Sequence, residues 1–217
     1  MARDYEVRIK SREDIAKIAM SWWLAATRSR YHFNICTFVT KVLACRLRDK
    51  GKLTVKFYPS AEIPDRAFVT FNPATLHIDE QIWKDADIGK AYARFIIAHE
   101  IGHLVLHDEF AVAFSDEKAA QLVYVQNEES GEWQANTFAD LFLVPDFVAR
   151  KLKLVDLVAG LCVVTDELAA RQILAAQSAK AIVSPYSSDI CGTCWNLTVL
   201  SNGATLTCDT CDQYADV

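Results

Sequence analysis

"FIIAHEIGHLVLH", residues 95–107, sets His99, Glu100 and His103 inside an otherwise apolar run. Burying such groups without partners costs free energy, so the run implies something for them to hold. His99 and His103 are four positions apart, and a helix stacks them on one face where both imidazoles reach a single ion. Glu100, between them, is the carboxylate that proteases of the H-E-x-x-H type use to take a proton from water. A metal lowers the pKa of its water toward ~7, so a neighbouring carboxylate can act as base at neutral pH. The stretch therefore predicts a helix that presents a metal site.

Two histidines do not complete a zinc site, which needs a third protein ligand and an open position. His107 is nearest in sequence, but its i+8 position has rotated about 80° from His99 and sits about 12 Å along an ideal helix. It suits a role beside the ligands rather than on the ion. Glu109, Glu128 and Glu129 fall in expected loops and are open to the role. Glu132 begins "EWQANTFADLFLVP", expected to be a helix from about Gly131 to Val144 that Pro145 stops. In that helix Glu132 and Asn136 share a face, while Ala135, Phe138, Ala139 and Phe142 make an apolar stripe able to pack on the first helix. Asn136 could bond a ligand histidine's other nitrogen and fix its tautomer. The alternative for Glu132 is a solvated first-turn glutamate favoured by the helix dipole; the pattern alone leaves both open.

Together the two stretches resemble the ImmA/IrrE family of zinc metallopeptidases, whose members follow H-E-x-G-H-x-x-x-H with E-x-x-A-N/D-x-F-A-x-x-L-L-x-P. Gly102, His107, Ala135, Phe138, Ala139 and Pro145 fit the pattern, and Phe142 stands where leucine is usual. The resemblance runs from about residue 53 to about 178. It implies a zincin-like layout, a catalytic zinc held by His99, His103 and Glu132, and Glu100 as catalytic base. It further implies action on a helix-turn-helix repressor. The helices that commonly follow the family's peptidase core look like "LVDLVAGLCVVTDELAARQIL", although residues 151–180 carry only four basic against three acidic side chains. That charge fits core packing better than phosphate contact.

Elsewhere the pattern is helical from Ser11 to about Lys50, with one stripe of Ile15, Ile18, Ala19, Trp22 and Trp23 and another of Phe38, Val39, Val42, Leu43 and Leu47. "LTVKFY", "AFVTF" and "LHID" alternate like strands and predict a small antiparallel sheet. Asp85 or Asp87 is placed to cap the H-E-x-x-H helix. After Pro145, "FVARKLKLVDLVAGL" and "TDELAARQILAAQSA" read as two helices. Cys36, Cys45 and Cys162 sit in apolar patterns as packing residues.

The tail carries "CGTC" (191–194) and "CDTC" (208–211), C-x-x-C twice with thirteen residues between. Cys191, Cys194, Cys208 and Cys211 can supply four thiolates to a tetrahedral structural zinc. "NLTVLSNGATLTC" reads as a hairpin turning at Asn202-Gly203. The tail resembles a zinc ribbon, with Trp195 and Asp212 replacing the glycine that often follows each knuckle. A dithiol pair or two disulfides is the competing reading. The expected class is thus α+β: an N-terminal helical region over 1–52, a zincin-like core over 53–150, a helical segment over 151–183 and a zinc ribbon over 184–217.

Seven cysteines, no apolar segment after the charged start, and no run near the roughly 20 residues a bilayer requires fit a cytoplasmic protein. The net charge of −5 is unevenly spread: residues 1–60 hold 13 Lys and Arg against 5 Asp and Glu. A solvated basic helix face accounts for this, and a patch for an acidic partner or nucleic acid is the other reading. From Tyr186 onward four aspartates meet no Lys or Arg, which disfavours nucleic acid as the tail's partner. Three functions are in view. They are a zinc endopeptidase that cleaves a repressor, a non-proteolytic anti-repressor using the same fold, and a nucleic-acid-binding regulator. The intact Glu100 favours the first. The sequence does not identify the group that steadies the oxyanion; His107 and Tyr124 are candidates, with bracing of the helix end as the other role for His107.

Overall fold

The computed structural model describes residues 6–27, 31–47, 53–107, 127–179, 199–201, 205–208 and 214–216. Helix α1 (Arg12–Ala26) starts where the Ser11 hydroxyl accepts from the Asp14 backbone N–H, and it buries Ile15, Ala19, Met20 and Trp23. The expected helical run does not continue. Asn34 accepts from the Thr37 N–H at 2.7 Å and starts α2 (Ile35–Phe38), so the two apolar stripes lie on separate helices. A π-helical turn (Val39–Leu43) and the short α3 (Ala44–Arg46) follow directly. The wider turn shifts the phase of the face behind it. Cys45 consequently emerges exposed instead of packing, whereas Cys36 and Cys162 are buried.

Strands β1 (Thr54–Tyr58), β2 (Ala67–Thr70) and β3 (Thr75–Asp79) form one sheet in the order β1-β3-β2. β2 and β3 pair antiparallel as a hairpin, but β1 runs parallel to β3, with Thr54 opposite Thr75 and Tyr58 opposite Asp79. The sheet is therefore mixed, not antiparallel. Alternation in sequence fixes which face a residue takes, not the direction of its neighbour. Asp79 ends β3 and caps α4 (Glu80–Asp87), its carboxylate accepting from the Gln81 N–H at 2.7 Å.

Helix α5 (Ala91–Leu106) begins after Lys90 with no side-chain cap, contrary to the role expected of Asp85 or Asp87. Asp85 instead ties the α4–α5 joint together, pairing with Lys90 at 3.0 Å and accepting from Gln81 and Tyr92. The joint turns at Gly89, whose φ of +87° suits glycine. Helix α6 (Gly131–Leu143) starts at Ser130, whose hydroxyl accepts from the Trp133 N–H at 2.9 Å, and its helical hydrogen bonding ends at Val144, just before Pro145. The next apolar stretch is two helices, not one. α7 (Asp146–Leu152) ends at Lys153 with φ +60°, and α8 (Val155–Cys162) ends at Val163 with φ +55°. α9 (Asp166–Ser178) closes the series behind the Thr165 cap.

One apolar core runs from Ile15 on α1 to Ala176 on α9, with Phe138 stacked on Phe142 at its centre and the rings of Phe33 and Phe38 tilted against Phe142. Polar ties cross it. Arg12 forks onto Asp146 at 2.6 and 2.8 Å and reaches Gln172 at 3.4 Å. Arg94 is buried and donates to the carbonyls of Cys162, Val163 and Phe33, which satisfies the end of α8.

In the tail, β4 (Val199–Ser201), β5 (Thr205–Cys208) and β6 (Tyr214–Asp216) form an antiparallel sheet in that order. The expected hairpin partners are paired, Ser201 opposite Leu206 and Val199 opposite Cys208, and β6 is a third strand that the pattern did not suggest. The Asn202-Gly203 turn lies outside the described residues.

Candidate metal centre

Helix α5 carries His99, Glu100 and His103, and α6 carries Glu132 and Asn136. What brings the two helices close is the absence of a side chain at Gly102. A Cβ built there would lie 3.0 Å from both Cα and the carbonyl oxygen of Ala135 and 3.3 Å from the Phe138 ring. Ala135, Phe138, Ala139 and Phe142, the stripe expected to face α5, are all fully buried.

This approach gathers His99, His103 and Glu132, one ligand atom from each lying within 4.8 Å of the others. Nε2 of His99 is 3.4 Å from one Glu132 oxygen, and Nε2 of His103 is 3.5 Å from the other. A tetrahedral zinc with bonds of about 2.0–2.1 Å spaces its ligand atoms about 3.3–3.4 Å apart. The two Nε2 atoms are 2.9 Å from each other. Two lone pairs that close need a cation or a proton between them, so the donor set fits a small divalent metal. Glu128 and Glu129 form a 3-10 turn before α6 and are not in this cluster, and Glu109 lies outside the described residues.

The backs of the imidazoles are also held. Nδ1 of His99 meets Oδ1 of Asn136 at 2.9 Å, the contact anticipated for that residue. Nδ1 of His103 meets Nδ1 of His107 at 3.2 Å, and Nε2 of His107 meets Oε1 of Gln134 at 3.2 Å. Both ring nitrogens of buried His107 are thus turned to neighbouring side chains, one to His103 and one to Gln134. Tyr124 lies outside the described residues. Gln134 was not singled out from the sequence, although a glutamine on the same helical face as Phe138 and Leu141 is a polar residue in an apolar stripe.

Electrostatics separate the roles. Burial pushes the Glu100 carboxyl up to about 7, with Glu132 and Asp65 adding to the shift and His99 opposing it. A carboxyl near neutrality can both take and return a proton. Burial drives His103 down to about 2, assisted by His99 and His107, so this ring is neutral. Burial lowers His99 too, but its bond to Glu132 and the charges of Glu100 and Glu132 carry its pKa above the ordinary value.

Of the four tail cysteines only Cys208 falls within the described residues, buried at the end of β5. Cys191, Cys194 and Cys211 lie outside them. No helix among the described residues is long and apolar enough to cross a membrane.

No curated protein matches the chain significantly. Residues 86–156 match the family model described as Peptidase M78, IrrE N-terminal-like domain. The match spans α5, α6 and His99, His103 and Glu132. Over residues 86–156, about a third of the chain, the protein is thus similar to the IrrE N-terminal-like domain of the M78 peptidase family.

Proposed function

We propose that the protein is a cytoplasmic zinc endopeptidase that relieves repression by cleaving a helix-turn-helix repressor, with His99, His103 and Glu132 holding the catalytic zinc. The observation that carries the reading is the meeting of two imidazole nitrogens and a carboxylate at zinc-like spacing beside Glu100, whose pKa is raised to about 7. Zinc in that position supplies Lewis acidity toward a peptide carbonyl and toward water. Glu100 takes the proton from the attacking water and hands it to the leaving amine. Asn136 and His107 hold the ligand rings in place. A second, structural zinc on Cys191, Cys194, Cys208 and Cys211 would stabilise a tail too small to build a core.

The test is incubation of the zinc-loaded protein with helix-turn-helix regulators encoded near it, using Glu100→Gln as control. Discrete fragments with wild type alone are expected. Binding of a regulator without cleavage, equally by both proteins, would replace this reading with the non-proteolytic anti-repressor.

A further inference from the structure

Gln134 is completely buried, and the direction of its side-chain amide is fixed by what surrounds it. Nε2 lies 2.9 Å from the carbonyl oxygen of Arg8 and 2.7 Å from that of Glu128. Two carbonyls can only accept, so both amide hydrogens are spent on them and Oε1 must accept from His107. The hydrogen on His107 then sits on Nε2, which leaves Nδ1 as an acceptor toward His103. His103 in turn donates from Nδ1, and its Nε2 lone pair faces Glu132 and His99.

The order is the same when followed from the other end. A histidine that binds metal through Nε2 must carry its hydrogen on Nδ1, and every bond back to Arg8 follows from that. The carbonyl of Arg8 belongs to an N-terminal segment that is itself held in place. Val7 N–H donates to Glu129 O at 2.8 Å, and Lys10 N–H donates to Glu128 O at 3.2 Å. The Lys10 ammonium donates to Leu106 O at the end of α5.

We propose that Gln134 is a positioning residue for the metal site, which sets the tautomer of His103 through His107 and makes the segment from Val7 to Lys10 part of the metal-binding apparatus. The proposal rests on the metal reading above and adds a residue and a segment to it.

The experiment is nitrogen-15 imidazole NMR on the metal-free full chain at mildly alkaline pH, together with zinc affinity by chelator competition. Wild type, Gln134→Leu and Gln134→Glu are compared. In wild type, His103 should carry its hydrogen on Nδ1 and His107 on Nε2. Gln134→Leu removes the acceptor, so both rings should become tautomer mixtures and zinc affinity should fall about 10- to 100-fold. Gln134→Glu keeps an acceptor for His107 but offers no hydrogens to the carbonyls of Arg8 and Glu128, so it should keep the tautomers of His107 and His103 while loosening the segment from Val7 to Lys10, a separation that a purely structural role would not produce. Zinc bound equally well by Gln134→Leu and wild type overturns this proposal alone; wild type that binds no zinc at the His99–His103–Glu132 site overturns the metal reading with it. If the leucine variant does not fold, the wild-type spectrum decides: a His103 hydrogen on Nδ1 supports the proposal, and one on Nε2 overturns it.

Discussion

The backbone of Ala135 occupies the space that a side chain on Gly102 would need, with Cα and the carbonyl oxygen both 3.0 Å from a Cβ built there. Backbone cannot move aside as a flexible side chain can, so this contact sets the spacing between the helix bearing the histidines and the helix bearing Glu132. Gly102→Ala gains about 1 kcal/mol of helix propensity but meets an overpacking cost of about 1–3 kcal/mol. A net loss of stability is expected in thermal unfolding, accompanied by weaker zinc binding as the ligands separate. An alanine variant with raised stability and unchanged affinity would show that the helices are not held by this contact.

Glu132→Ala removes one of the three proposed ligands. The loss of zinc affinity should exceed the roughly 100-fold upper range typical of residues that only support a ligand. Competition with a chromophoric chelator measures it. Unchanged affinity would move the search to the carboxylates of other segments.

Glu100 gives the metal-free protein a specific pH dependence. Its folded pKa of about 7 lies above the ordinary 4.5, so the folded state holds its proton more tightly than the unfolded state. The contribution is complete below the ordinary value and disappears as pH rises through 7, a change of roughly 3 kcal/mol. Glu100→Gln cannot titrate, so its denaturation free energy should decline less between pH 5 and about pH 8. Parallel curves for the two proteins would contradict the burial assigned to this carboxyl.

Arg94→Leu tests the polar tie across the core. It leaves the carbonyls of Cys162, Val163 and Phe33 without this donor. Each buried acceptor so stranded costs about 1–3 kcal/mol, partly offset by no longer burying a charge. A loss of about 3 kcal/mol in chemical denaturation is expected, and a loss below about 0.5 kcal/mol would remove Arg94 from the account of stability.

Metal analysis should find two zincs per chain, falling to one when Cys191 and Cys208 are both replaced by serine. No fall would eliminate the four-cysteine site.

The gathering of His99, His103 and Glu132 was readable in the sequence because its parts are local. Spacing of four puts His99 above His103, and spacing of four puts Glu132 above Asn136, whatever the remainder of the chain does. Gln134 was missed because its role depends on Arg8, which is 126 residues away along the chain. The parallel pairing of β1 was missed for a similar reason: Lys56 opposite His77 is a relation between strands, invisible in either one. Cys45 was misplaced because a π-helical turn leaves no mark in an apolar periodicity. The break before α2 did leave a sign, since Asn34 is a favoured helix cap, but two apolar stripes in succession obscured it.

The fork from Arg12 to Asp146 and Gln172 joins positions 134 and 160 residues apart. During synthesis, α1 therefore leaves the ribosome long before the helices that cover it exist, and the buried face of Ile15, Ala19 and Trp23 has to wait for them. Assembly of the whole is expected to come late, as one event near the end of translation, and a chain cut short before Gln172 should be recognised by the cell as unfinished protein.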